Sequence, residues 1–203
     1  MTAARQIPRI APLAPPYEPE LAAFLAKWMP PGSQIEPLAL FRTLAVHEEL
    51  AGRMRPLGAG ILGPRATVAP ALREVMIHRT CALTGAEYEW GVHAVAFGEP
   101  LGLSAAQLAA TVHGSAEEEC WDLEQATVVR LADELHSTSA ISDDLWQALS
   151  AHFDEAQILE LIVTAGWYHV IGYLCNGLHI EFELWARRFP ESIAAPAQKA
   201  PSA

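Results

Sequence analysis

LREVMIHRTCALTGAEYEWGVHAVAFG, Leu72 to Gly98, reads as two helices divided by a turn. At about 3.6 residues per turn, Leu72, Val75, Met76 and Leu83 form one apolar stripe, and Arg79 falls in its middle. A buried guanidinium needs a partner, so the stripe predicts an ion pair inside the protein. The opposite side mixes Glu74, Ile77, His78 and Cys81, which predicts a helix covered on both faces with ionisable groups enclosed. Gly85 follows Leu83 as a helix stop. Beyond it Glu89, His93 and Phe97 recur at i, i+4 and i+8 beside Trp90, setting a carboxylate and an imidazole against aromatic surface.

Outward from this hairpin the text stays helical. Apolar periodicity predicts helices over Pro37 to Leu50, Pro70 to Leu83, Glu87 to Phe97, Ser104 to Val112, Trp121 to His136, Ser142 to His152 and Asp154 to Arg188. Pro37 and Pro70 suit first-turn positions, and Ser104 and Ser142 suit N-caps, the latter followed by Asp143 and Asp144. No segment alternates apolar and polar residues as a half-buried strand would, so the fold class is all-α. The last run, ILELIVTAGWYHVIGYLCNGLHIEFELW, is apolar around nearly its whole circumference and must be covered on all sides. It is also longer than one small domain easily buries, which predicts a break near Gly172 or Gly177, or burial between subunits.

Eight of the fifteen prolines lie in the first 37 residues. They predict an extended arm over residues 1–36 with one short helix, Leu21 to Met29, laid by its apolar residues on its own core or on a neighbour's. Residues 37–190 form the helical domain, and SIAAPAQKAPSA at the end is expected to be disordered. With 203 residues, 51% hydrophobic and 18% charged, the chain suits one core. A net charge of -11 without a basic patch argues against nucleic acid and anionic membranes as partners. Cys81, Cys120 and Cys175 form neither a CxxC nor a finger spacing, which predicts a reducing compartment; with no apolar run of signal or spanning length, the expected location is cytoplasmic.

The hairpin resembles that of the carboxymuconolactone decarboxylase and alkyl hydroperoxidase D superfamily, with a glutamate on the first helix and a histidine on the second. These fall on Glu74 and His93. The two positions that hold cysteines in the redox members are Ala86 and Glu89 here, and the histidine often found between them is Tyr88. The resemblance extends through PPYEPELAAFLAKWMPPG, LFRTLAVHEELAGRMRPLG, CWDLEQATVVRLADELH and LIVTAGWYHVIGYL, roughly Ile7 to Pro190, and points to the cysteine-less decarboxylase-type branch. It implies an alkyl hydroperoxidase D-like helical bundle built on a central hairpin and a lyase acting on a small carboxylated lactone or enone; the arm and the long apolar helix, more than one subunit can cover, predict a homo-oligomer, a trimer or a multiple of it.

Decarboxylation of such a molecule leaves a dienolate, so the protein must stabilise charge on oxygen and then protonate carbon, which in principle needs no cofactor. His93 is the candidate acid/base, with Glu74 and Glu89 orienting it or relaying protons; Tyr88, Arg79, Trp90 and His169 are candidates for the pocket edge. Each has a plainer reading. His93 and His169 can be satisfied core groups, Glu89 a helical i, i+4 partner, Glu74 the partner of Arg79, and Tyr88 and Trp90 packing residues. Glu89, His93 and His169 are compatible with a divalent metal, but no second pair completes the set, and the expectation is no metal. Two other readings remain: a peroxidase or disulfide reductase, which needs the dithiol that Ala86 and Glu89 remove, and a non-catalytic helical binding or assembly protein.

Overall fold

The computed structural model describes residues 7–30 and 32–191, and among these every regular element is helical. The α-helices are α1 (Pro19–Ala26), α2 (Ala39–Leu44), α3 (Glu48–Ile61), α4 (Pro70–Leu83), α5 (Glu87–His93), α6 (Ala105–His113), α7 (Leu123–Thr138), α8 (Asp143–His152) and α9 (Glu155–Leu178). The hub is α4, which packs against α5, α6, α7 and α9. Every residue from Leu72 to Cys81 is buried, so both faces of this helix are covered, ionisable groups included. A second apolar cluster joins α2 and the start of α3 to Tyr88 and Val92 of α5 and the C-terminal half of α9.

Local chemistry sets the boundaries. Pro70 opens α4 and Gly85, at φ +66, turns the chain after it. Ser104, Asp122 and Asp154 open α6, α7 and α9 with reciprocal capping boxes, and Ser142 accepts from Leu145 N at the start of α8.

Three boundaries differ from the sequence reading. The run from Pro37 is two helices, because a 3₁₀ turn over Ala45–His47 and the non-helical backbone of His47 divide α2 from α3. The second continues to Ile61, through Gly52, Pro56, Gly58 and Gly60, residues that normally argue against a helix. At the other end α9 stops at Leu178, where His179 takes the left-handed conformation at φ 54; it does not reach Arg188. Arg9 of the arm closes this end, its N–H and Nη1 donating to the carbonyls of Leu178 and Gly177. The chain after Ile180 returns over α5: Arg187 N donates to Gly91 O, Arg188 pairs with Glu87, and Phe189 packs edge-on against Trp90. The expected disordered tail lies outside the described residues, apart from Glu191.

By length and composition α9 would suffice to cross a membrane. Here it packs against α3, α4, α5, α7 and α8, and leaves Leu159, Val163, Val170 and Tyr173 exposed along one side.

Candidate active site

The hairpin brings its two chemical groups together. Glu74, fully enclosed on α4, places Oε2 2.9 Å from His93 Nδ1 on α5. At the other edge of the ring, His93 Nε2 lies 3.1 Å from the Tyr168 hydroxyl on α9 and 3.4 Å from Glu89 Oε1, one helical turn earlier. Directly after His93 the helix widens into a π-turn over Ala94–Gly98, in which Glu99 N donates to Ala94 O. Phe97 of this turn lies with its ring centroid 4.9 Å from that of His93.

Electrostatics separate the two buried histidines. Burial alone would lower the His93 pKa, but the charge and hydrogen bond of Glu74, joined by those of Glu89, outweigh it and push it up to about 10. His93 is therefore an imidazolium at neutral pH, with Nδ1–H donating to Glu74 and Nε2–H facing Tyr168 and Glu89. His78 behaves oppositely: burial dominates the attraction of Glu74 and lowers its pKa to about 4. It is neutral, with Nδ1–H donating to the Glu74 carbonyl at 2.7 Å. Gly98 permits this packing, since a Cβ there would sit 3.0 Å from His78 Cε1. Burial, then Glu89 and Glu74, raise the Tyr168 phenol well above its ordinary value, so it remains a neutral hydroxyl.

The Nε2 edge of His93 opens on a cavity of about 470 Å³. Its walls are apolar and largely aromatic, with Trp28, Phe41, Phe97, Trp167 and Trp185 prominent. Glu89, His93 and Tyr168 are buried members of its lining, and its lysine and arginine, Lys27 and Arg55, are more exposed. Glu89 Oε2 is buried and, among the described residues, receives no hydrogen bond.

Of the residues singled out in the sequence, Glu74, His93 and Glu89 meet at this point, and the other four take different places. Arg79 binds both oxygens of Asp133 and the carbonyls of Thr111 and Gly114, so the guanidinium predicted to need a partner finds it on α7 rather than in Glu74. Tyr88 donates to Glu183 and accepts from Leu40 N. Trp90 donates to Thr111 Oγ1 on α6, and His169 bonds to Ala165 O and to His136. None of these four lines the cavity. Tyr168, neighbour of the His169 picked from the sequence, is the residue that reaches His93; on the helical face of α9 it shares with Leu161 and Ala165, both buried, it could have been preferred.

The wider comparisons locate the fold. No family model and no curated protein matches the sequence. Among solved structures, an uncharacterized peroxidase-related protein from Silicibacter sp. TM1040 superposes with a TM-score of 0.76 at 12% identity, over 94% of this chain and 100% of that one. The debrominase Bmp8 in complex with 2,3,4-tribromopyrrole gives 0.71 at 12% identity, over 87% and 92% of the two chains. A protein of unknown function from Agrobacterium tumefaciens, proposed as an antioxidant defence protein AhpD, gives 0.62 at 15% identity, over 70% and 95%. The chain has the all-helical alkyl hydroperoxidase D-like fold that these proteins share.

Proposed function

We propose that this chain is a decarboxylase-like lyase of the cysteine-less carboxymuconolactone decarboxylase type, acting in the cytoplasm by acid/base chemistry on a small carboxylated lactone or enone. The observation that carries the reading is the buried Glu74–His93 pair, whose histidine lines an apolar cavity together with the Tyr168 and Glu89 that meet its other ring edge. Loss of carbon dioxide leaves its electron pair on the substrate as a dienolate. His93 Nε2–H is placed to protonate the carbon, while Glu74 holds the ring and steadies its charge. A neutral Tyr168 hydroxyl can donate to the oxygen on which charge develops. These roles are filled by side chains, and the reaction asks for no cofactor. The complex of Bmp8 with a small planar ring supports the use of this fold for such ligands.

Thiol chemistry is disfavoured by burial, which, with Glu89 nearby, pushes both Cys81 and Cys175 well above the ordinary thiol range. We also propose self-association, as a trimer or a multiple of it, supported by the apolar side that α9 leaves exposed.

The test is a screen of carboxylated lactones and enones for carbon dioxide release, run with the native chain and with His93→Gln. Release by the native chain, lowered about 10²–10⁴-fold in a folded His93→Gln, is the expected result. Equal release by both would remove His93 from the reaction, and no release from any member of the series would favour a binding or assembly role.

A further inference from the structure

The cavity sets buried Glu89 and His93 and the more exposed Lys27 and Arg55 into an otherwise mostly apolar lining. Arg55 stands on the face of α3 that also presents Gly58, Ala59 and Leu62 to the cavity, an i, i+3, i+4, i+7 line that points its side chain toward the same space. Arg55 is half-buried and, among the described residues, no carboxylate lies within salt-bridge distance of it. Lys27 adds a second positive charge to the lining. Among the buried lining residues, Glu89 is 8% exposed, and its Oε2 receives no hydrogen bond among the described residues.

We propose that the cavity binds an elongated, largely apolar carboxylate, its anionic end held by Arg55 with Lys27 beside it, its far end donating a hydroxyl hydrogen bond to Glu89. Three considerations fix this polarity. An anion at the buried end would face Glu89 and a His93 charge already balanced by Glu74, whereas at Arg55 it meets a planar guanidinium suited to two-point binding of a carboxylate. An apolar middle fits the aromatic walls. A cavity of about 470 Å³ is some three times the ~150 Å³ that holds a single benzene ring, so the body extends over more than one ring or its equivalent. The inference rests on the proposed lyase reading and deepens it, in that Arg55 takes a second carboxylate of the substrate, one not lost as carbon dioxide, while Arg79, a pocket-edge candidate in the sequence, is bound to Asp133. The hydroxyl end corresponds to an enol beside His93.

Calorimetric titration of the full chain near neutral pH tests it with three probes: 6-hydroxy-2-naphthoate, its methyl ester, and 2-naphthoate. The hydroxy acid is expected to bind at least about 10-fold more tightly than the ester, whose charge is gone, and more tightly than 2-naphthoate, which lacks the donor. Arg55→Gln should bring acid and ester within about 2-fold of each other, and Arg55→Lys should restore part of the preference. Equal binding of acid and ester by the native chain, no binding of the hydroxy acid, or an undiminished preference in Arg55→Gln would overturn the proposal. His93→Gln separates the two readings: it should lower turnover about 10²–10⁴-fold and leave the acid-over-ester preference intact, so either can fail without the other.

Discussion

Glu74 and His93 stand 19 residues apart in sequence and meet at 2.9 Å, the carboxylate fully enclosed and the ring nearly so. A carboxylate in that position has two histidines to choose between, and it charges the one it faces through its side chain, leaving neutral the one that bonds its backbone.

This difference predicts how stability depends on pH. His93 is raised above its unfolded value of about 6.5, so the stabilisation from its charged form is complete below that pH and is lost as pH rises toward about 10. His78 is lowered, so the unfolded chain gains a proton there first, and stability falls as pH drops from about 6.5 toward about 4. Denaturant unfolding across this range should show a maximum near neutrality. Glu74→Gln should flatten the alkaline limb and His78→Asn the acid limb; an alkaline limb unchanged in Glu74→Gln would count against the pair.

Tyr88 is predicted to be a strut. Its hydroxyl links Glu183, at 2.8 Å, to Leu40 N at the start of α2, and Glu183 also accepts from Ala39 N. Tyr88→Phe should cost about 1–3 kcal/mol by equilibrium unfolding, because buried partners lose a bond, and should leave turnover on an active substrate unchanged. A rate loss without a stability loss would instead return Tyr88 to the substrate-contacting role expected from the sequence.

Gly91 is fixed by close approach. A Cβ there would lie 1.9 Å from Arg187 O, a backbone atom that cannot rotate away. Gly91→Ala should therefore lift the segment carrying Arg188 and Phe189 off α5, lowering stability by about 1–3 kcal/mol and exposing its backbone amides to hydrogen exchange. Unchanged stability and protection would show that the segment has room to move.

Self-association is expected to run through α9. Leu159, Val163, Val170 and Tyr173 are exposed at helical spacing on a helix otherwise packed into the core. Sedimentation of the native chain should show an oligomer, and Val170→Glu should shift it toward the 22.0 kDa monomer. A native chain that sediments only as monomer removes the assembly proposal.

The hairpin was legible because local signals agreed: Pro70, Gly85 and the two-faced burial of α4 all follow from residues within one stretch of text. Glu74, Glu89 and His93 were legible through helical spacing and family resemblance together. Other features were not, for definable reasons. The extension of α3 runs through three glycines and a proline whose propensities oppose it, and packing decides there. The end of α9 depends on a left-handed His179, a conformation with no strong residue signature outside glycine and asparagine. Periodicity could have marked Tyr168 as inward-facing on α9, but that it and Arg55 of α3 line one cavity follows from tertiary placement, which one-dimensional periodicity does not encode. Arg79 shows the converse: the sequence required a partner for it and left open whether that was Glu74 or another residue.

The central claim is that His93 rests as an imidazolium held by Glu74, and the most direct measurement is heteronuclear NMR of its ring nitrogens in the unliganded chain as pH is raised. Both nitrogens should report protonation near neutral pH, with a midpoint toward about 10 that falls in Glu74→Gln. A native ring that is already neutral near pH 7, or a midpoint unaltered by Glu74→Gln, would contradict the account.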